Sequence, residues 1–383
     1  MSSRSGAASV DPQRPLDVVV VGGGQAGLAV GYHLRRAGFV GLSDVVVLDA
    51  NDRPGGAWQH LWPSMRLFSP PAYSSLPGWM MPSADTDYPP ASHVVDYLER
   101  YEHRYDLPVL HGQRVTAVTC GDDDPAGLLL VTTTPPASGG VGATWRARAV
   151  VSATGTWGRP FVPHYPGAGS FTGEQLHSSD YRGPEPYAGR RVVVVGGGNT
   201  AAQLLAEVSL VAETTWVTLR PPRFLPDDVD GRVLFDVATA RRLALDAGEP
   251  DTGGVAGLGD VVMVESVRDA RDRGVLQAEA MFERLTPTGI EWGDGARQDA
   301  DVILWCTGFR PDLPHLAPLG LRRDGTHPAT IGTRAADEPR LHLVGYGDWT
   351  GPASATLIGV GRTARQAVRE IAAGLAKPGI NAR

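Results

Sequence analysis

Two glycine-rich turns carry the first chemical signal in this sequence. Gly22-Gly23-Gly24-Gln25-Ala26-Gly27 follows the apolar run Asp17 to Val21, and Gly196-Gly197-Gly198-Asn199-Thr200-Ala201 follows Arg191 to Val195. In both, a buried-strand pattern leads into glycines and then into a small-residue helix pattern, the context that a dinucleotide-binding fingerprint requires. The first glycine makes a tight turn, and the second lets backbone approach a pyrophosphate. The third position, Gly27 or Ala201 here, lets helix and strand pack closely. The helix N-terminus then offers free N–H groups and a favourable dipole to the anion. Two such loops in one chain point to two dinucleotides with electrons passing between them.

The residue ending the next strand separates the two sites. After the first loop that residue is Asp49, placed to accept hydrogen bonds from an unphosphorylated ribose, so FAD or NAD fits. After the second loop the strand ends in Arg220, with Arg223 close behind. A guanidinium binds a phosphate bidentately, which favours NADPH over NADH. The plain alternatives are an ordinary strand-end carboxylate and a solvated surface arginine.

The elements that must position these loops follow from the pattern. Residues 16–50 read as strand, helix, strand, and 190–220 repeat that order. Between them lie a Trp-, Pro- and Ser-rich segment from Arg53 to Pro90, a helix over Ser92 to Tyr105 with Ser92 as N-cap, and three strands. These strands run Val115 to Thr119, Leu128 to Thr133 and Thr144 to Ser152. Thr132 to Gly142 reads as an exposed loop, and Asp122 to Asp124 as an acidic turn. Pro226 to Val275 has mixed helical and glycine-rich character and is not placed. Asp301 to Thr307 and Leu341 to Gly345 read as strands, with a last helix from about Ser354. The fold class expected is α/β: two Rossmann-like dinucleotide-binding domains, the NADPH domain inserted into a discontinuous FAD domain. The expected limits are 1–15 for a disordered leader, 16–185 and 301–383 for the FAD domain, and 186–300 for the NADPH domain.

Composition sets outer limits. With 42% hydrophobic and 20% charged residues the chain is an ordinary globular protein. A net charge of −7 gives nucleic-acid binding no electrostatic support. No apolar run reaches membrane-spanning length, and the leader lacks the apolar core of a signal peptide, so no membrane partner and a cytoplasmic location are expected. Cys120 and Cys306 form no C-x-x-C, which argues against a dithiol relay, and a cytoplasmic location favours two thiols over the alternative of a single disulfide. The 10 histidines show no zinc-site spacing, so no metal is expected.

The arrangement resembles the flavin-containing monooxygenases over nearly the whole chain. Phe171-Thr172-Gly173-Glu174-Gln175-Leu176-His177-Ser178-Ser179-Asp180-Tyr181 fits that family's FxGxxxHxxx(Y/F) signature, just before the second glycine loop. Baeyer–Villiger monooxygenases end the signature in Trp-Pro; here it ends in Tyr181-Arg182, which favours the heteroatom-oxidising branch. Gly55-Gly56-Ala57-Trp58 is similar to the GGxW element, Ala153-Thr154-Gly155 and Cys306-Thr307-Gly308 to the two linkers, and Gly347-Asp348 to the flavin-holding Gly-Asp. The stretches WPSMRLFSPPAYSSLPGW, RPPRFLPDDVDGRVLFDVATARR and GYGDWTGPASATLIGVGRTAR resemble the bacterial arsenic-resistance-operon group.

The resemblance implies FAD bound by Gly22, Gly24, Gln25, Gly27, Asp49, Trp58, Val115, Thr154, Gly155 and Asp348. It implies NADPH bound by Gly196, Gly198, Asn199, Thr200, Arg220 and Arg223. The candidate catalytic set is Trp58, Ser69 and His177, with His177 acting mainly by keeping the linker and NADPH in register. Trp62 reads as either a flavin wall or a core aromatic. Many members place an asparagine near the flavin ring; this chain has Phe68 and Ser69 there, and Ser69 is the candidate substitute. The implied activity is NADPH- and FAD-dependent oxygenation of a small soft sulfur, nitrogen or trivalent arsenic compound through a flavin hydroperoxide. Two alternatives are an NADPH-dependent flavin reductase or oxidase and a non-catalytic redox-sensing flavoprotein. The expected pocket is bounded by Trp58, Phe68 and the Trp349–Ala353 turn, with the last helix aiming its N-terminus at the flavin and Arg66 as the one charged candidate anchor. Partners are therefore a small-molecule substrate and oxygen; a homodimer is left open.

Overall fold

The computed structural model describes residues 12, 14–86, 88–121, 127–134, 142–229, 231–250 and 260–375. The expected leader falls almost wholly outside them, as do the acidic turn at Asp122–Asp124 and residues 135–141 of the expected loop. The first half of the chain forms β1 (Leu16–Val21), α1 (Gln25–Arg36), β2 (Val45–Leu48), α2 (Ala91–Arg104), β3 (Val109–Leu110), β4 (Val115–Cys120), β5 (Leu129–Thr133) and β6 (Thr144–Ser152). Then come β7 (Glu174–His177), β8 (Arg191–Val195), α3 (Asn199–Val208), β9 (Glu213–Thr218), α4 (Gly231–Asp246), α5 (Glu265–Asp272) and β10 (Ala278–Ala280). A short meander follows, β11 (Arg284–Thr286), β12 (Gly289–Glu291) and β13 (Arg297–Asp299), before β14 (Val302–Trp305). The chain closes with β15 (Arg323–Asp324), β16 (His327–Pro328), β17 (Thr330–Ile331), β18 (Arg334–Ala335), β19 (Leu341–Leu343) and α6 (Val360–Gly374).

Two parallel sheets organise the molecule. In the first, β19, β6, β1, β2 and β3 lie side by side and parallel, with β17–β18 extending one edge and β4–β5 folding back on β6. In the second, the order is β10, β9, β8, β14, β7, again all parallel. Parallel strands are covered on both faces and so read as unbroken β-branched runs rather than as alternation. Val18, Val19 and Val20 of β1 are fully buried, and β8 holds Val192 to Val195 at 3% exposure or less. Helices α1, α2 and α6 cover one face of the first sheet. Helix α3 covers one face of the second, and Phe171, Phe282, Leu285 and Ile290 cover the other.

Three expectations are corrected. The inserted unit is wider than 186–300, because β7 and β14 both pair within the second sheet. Helix α2 starts at Ala91, and Ser92 lies inside its first turn. The extended Pro90 precedes it, and the Ala91 N–H is taken by the Met65 carbonyl at 3.1 Å, so no side-chain cap is needed. The last helix starts at Val360 rather than near Ser354. Residues 351–359 are turns, with Ala353 at φ +59° and Ser354 Oγ donating to the Gly347 carbonyl at 2.7 Å. Short polar side chains that bond local backbone compete with helix formation in this way.

Candidate functional site

In open parallel sheets, ligands sit beyond the carboxyl ends of the strands. At the first sheet those ends bring together the Gly22 loop after β1, Asp49 after β2 and Ala153-Thr154-Gly155 after β6. Gly22 has φ +104°, and a Cβ there would lie 2.5 Å from the Ala153 carbonyl oxygen. A Cβ on Gly27 would lie 1.8 Å from the Gly22 carbonyl oxygen, so α1 can enter only over a glycine. Gly24 begins α1 facing Gly56, whose Cβ would come within 2.7 Å of the Gly24 Cα. Gln25 ties three segments: its Nε2 donates to the Ala355 carbonyl (2.6 Å) and its Oε1 accepts from Trp58 Nε1 (2.9 Å). The aromatic of the GGxW element is therefore fixed to the helix N-terminus. Val115 opens β4 and is half-buried against the sheet's second face.

Asp49 is buried, with one oxygen satisfied and the other free. Oδ1 accepts from the Asn51 N–H (3.1 Å) and from Asn51 Nδ2 (3.0 Å), whereas Oδ2 is buried without a hydrogen-bond partner. Burial raises its pKa against the pull of the Asn51 bonds and of His111. An orphaned acceptor oxygen beside a glycine loop suits a ribose hydroxyl. The Gly24 cradle suits a pyrophosphate, so the residues fit FAD.

A buried polar network holds Thr154-Gly155. The Tyr346 hydroxyl accepts from the Thr154 N–H (3.1 Å) and lies 2.7 Å from Thr154 Oγ1 and 2.6 Å from Ser152 Oγ. Thr154 Oγ1 donates to the Asp312 carbonyl (2.6 Å), and His315 Nε2 lies 3.0 Å from Ser152 Oγ. Burial pulls His315 down to about 4, so the ring is neutral. Tyr346 precedes Gly347-Asp348, so the same network joins the first linker to the Gly-Asp turn. Sequence reasoning missed it; a tyrosine beside Gly-Asp and hydroxyls at the end of β6 were the available signals. Asp348 itself is exposed, 3.4 Å from Arg241 Nη1 of α4.

The second loop repeats the geometry. Gly196 has φ +135°, and a Cβ there would lie 2.4 Å from the Cys306 carbonyl oxygen. Gly198 starts α3 over open space, with no atom within 4 Å of a Cβ position, which leaves room for a second pyrophosphate. Thr200 sits in the first turn of α3. The Asn199 side chain is engaged elsewhere: Oδ1 accepts the Val262 N–H at 2.8 Å. Arg220 is exposed just past β9. Arg223 forms a two-pronged pair with Asp260 at 3.0 and 2.9 Å, which holds the Asp260 carboxyl below its ordinary pKa.

His177 ends β7 and is buried. Its Nδ1 accepts the Ser179 N–H (3.1 Å), so Nε2 carries the proton and donates to the Gly308 carbonyl (3.0 Å). Burial lowers its pKa despite that bond. Its ring edge meets Phe309. Nε2 thus ties the ring to the second linker, while Nδ1 holds the turn after β7. The two linkers pair with each other: Pro160 bridges Phe309, the Phe161 N–H donates to Gly308, and the Arg310 N–H donates to Arg159. Trp157 stacks on Phe309 at 5.1 Å and on His60 at 6.1 Å.

Ser69 is buried, its Oγ 2.8 Å from Ser74 Oγ, under the start of α4, where the Gly231 N–H donates to the Phe68 carbonyl at 2.8 Å. Phe68 packs with Leu225, Val229, Val262 and Val264 from the second unit. Trp62 is a core aromatic, edge-on to Tyr181 at 6.3 Å in the α3 layer. Arg66 is bound to Thr86 and to the Tyr88 carbonyl. It lines a cavity of about 340 Å³ at the far end of α3, away from both glycine loops. Among the described residues no cluster of three His, Cys, Asp or Glu side chains could hold a metal, and no helix is long and apolar enough to cross a membrane.

Residues 19–233 match the family described as pyridine nucleotide-disulphide oxidoreductase. The structure is similar to a flavin-containing monooxygenase from Stenotrophomonas maltophilia, at 48% identity, 95% of this chain, 100% of that chain and a TM-score of 0.83. The sequence is 26% identical over 358 residues to an oxidoreductase, CzcO, of Bacillus subtilis, covering 93% of this chain and 99% of that protein. It is 27% identical over 344 residues to an indole-3-pyruvate monooxygenase, YUCCA4, of Oryza sativa, covering 80% and 77%.

Proposed function

The chain belongs to the pyridine nucleotide-disulphide oxidoreductase family and, within it, to the NADPH-dependent flavin monooxygenases, and from that premise we propose that it oxygenates a small soft nucleophile: a thioether, an amine or a trivalent arsenical. Its cofactors are FAD and NADPH. When bound, these groups would supply hydride transfer and oxygen activation. The first loop and the N-terminus of α1 hold the FAD pyrophosphate, Asp49 holds the ribose, and Trp58, Val115, Thr154, Gly155 and Asp348 flank the flavin side. Gly196, Gly198, Asn199 and Thr200 hold the NADPH pyrophosphate, and Arg220 and Arg223 face its 2′-phosphate. His177 keeps the neck between the units in register, and the inserted unit runs from about Phe161 to Phe309, where the linkers pair.

The observation that supports the substrate class is the apolar character of the described side chains named for the expected pocket. Trp58, Leu67 and Phe68 are apolar, and Arg66 is committed to Thr86 and Tyr88. An apolar site excludes water and admits neutral nucleophiles. Two free thiols, Cys120 and Cys306, fit work in the cytoplasm.

A second reading has its own support. Ser69 Oγ is bonded to Ser74 rather than left open, so the polar contact expected from an asparagine is weak, and NADPH oxidation can end in hydrogen peroxide. The test compares oxygenated product with peroxide per NADPH consumed, using a thioether, a tertiary amine and a methylated trivalent arsenical. Product rising as peroxide falls is the expected outcome. Stoichiometric peroxide with every candidate would overturn the monooxygenase reading of the substrate and favour the oxidase.

A further inference from the structure

We propose that His111, clamped between Glu102 and Asp49, is a positioning residue for FAD: its charged ring holds the Asp49 carboxylate aimed at the ribose, and so sets FAD affinity. The proposal rests on the placement of the FAD ribose at Asp49.

Four observations carry it. First, His111 Nε2 faces both Glu102 oxygens, at 3.1 and 3.2 Å, from a helix α2 position where Glu102 is itself buried. Second, His111 Nδ1 lies 3.7 Å from Asp49 Oδ2. Both atoms are buried, and neither has a hydrogen-bond partner. At 3.7 Å the two do not bond each other. They face across a gap that a third polar atom can close. Third, a Cβ on Gly23 would lie 2.7 Å from this same Oδ2, so the open oxygen faces the glycine loop. Fourth, the other Asp49 oxygen is fixed by Asn51, and Asn51 Oδ1 is in turn 2.8 Å from His60 Nε2. The carboxylate thus has one oxygen locked and one presented.

The charge balance explains why an imidazole stands there. Burial, and to a lesser degree the charge of Glu102, pushes Asp49 up. An imidazolium between them leaves one net negative charge. Burial works against the charged ring, but the Glu102 bond and the charges of Glu102 and Asp49 outweigh it and raise the His111 pKa. The charged groups facing His111 are Glu102 from α2 and Asp49 from the end of β2. Beyond Asn51 stands His60, which burial, Arg182 and Arg53 keep below its ordinary pKa, and Asp52 lies beside Gly112.

Apoprotein titrated with FAD, followed by quenching of flavin fluorescence from about pH 6 to about pH 9, tests the proposal. In the wild type, FAD binding weakens as pH rises through the raised His111 pKa. His111→Gln binds FAD about tenfold more weakly at the low-pH end and shows a flat profile. Glu102→Gln moves the midpoint to lower pH while keeping the step, a change that loss of packing alone does not produce. Adding His111→Gln to Asp49→Asn causes no further loss, because the histidine acts through the carboxylate. Thermal melts of the apo forms establish that each variant is folded; should His111→Gln fail to fold, the Glu102→Gln midpoint decides. Equal FAD affinity and an unchanged profile in His111→Gln, or an unmoved midpoint in Glu102→Gln, overturns the proposal. A wild type that binds no FAD would instead remove the cofactor placement beneath it.

Discussion

At the scale of single residues, the two arginines past β9 make unequal predictions. Arg223 is already paired with Asp260 at 2.9 Å, whereas Arg220 is exposed on the approach to the second loop. Arg220→Ala is expected to raise the KM for NADPH far more than for NADH, by a lost charged hydrogen bond of about 1.5–3 kcal/mol. Arg223→Ala should act more weakly on that ratio and also loosen the 260–264 segment. Steady-state kinetics with both nucleotides decides it; equal effects of Arg220→Ala on the two would remove Arg220 as the discriminator. The positions of Asp49 and Arg220 were legible because each follows the strand that comes after a glycine loop and its helix. The Arg223 partner was not, since Asp260 lies 37 residues away. The Tyr346 network escaped for the same reason: its partners Ser152 and Thr154 are 194 and 192 residues distant, and only the parallel pairing of β19 with β6 brings them together.

At the scale of elements, α4 is the piece that the sequence left unplaced. Its composition mixes glycine, charge and aliphatic residues, so no single periodicity stands out. In the fold it is pinned to the first unit at two points, by Gly231 under Phe68–Ser69 and by Arg241 beside Asp348. A Cβ on Gly231 would lie 2.5 Å from the Ser69 Cβ and 2.8 Å from the Phe68 carbonyl oxygen. Gly231→Val is therefore expected to lift this end of α4 at a cost of about 1–3 kcal/mol, typical of overpacking. FAD should stay bound while more NADPH ends as peroxide. Unchanged coupling in a folded variant would show that α4 does not shield the flavin. The start of α6 was misread for a different reason. Residues 353–356 are small and helix-compatible, but Ser354 and Thr356 spend their hydroxyls on the Gly347 and Ala353 carbonyls. Ser354→Ala is expected to lower apoprotein stability by about 0.5–1.5 kcal/mol, the worth of one hydrogen bond, since the Gly347 carbonyl still accepts from Thr350. A urea melt with an unshifted midpoint would contradict this.

At the scale of the whole molecule, acid sensitivity follows from buried neutral histidines. Burial holds His315 at about 4, and burial together with Arg334 holds His342 at about 4, both below the ordinary value. In the unfolded chain these rings take protons near pH 6.5, so the unfolded state binds more protons between about 6.5 and about 4. Stability is thus complete above pH 6.5 and falls as pH drops through that window, by up to about 1.4 kcal/mol per ring and pH unit. The melting temperature should decline steadily from neutral pH toward pH 4, and less steeply in His315→Gln. A flat profile would refute the assignment. The two-unit plan was visible from the repeated strand, glycine and helix order. Its borders were not, because β7 reads as part of the histidine signature and β14 as a strand of the first unit until β14 pairs with β8 and β7 pairs with β14.

The pairing of the two linkers has a mechanical consequence. The chain leaves the first unit and returns to it through neighbouring segments bridged at Pro160 and Phe309. Tension applied between the two ends of the described chain therefore has a short circuit across this neck and through the β1–β6–β19 ladder. The second unit hangs off the load path as a pendant loop. Under a stretching force the first sheet would shear while the second stayed slack and folded, until the neck itself unzipped.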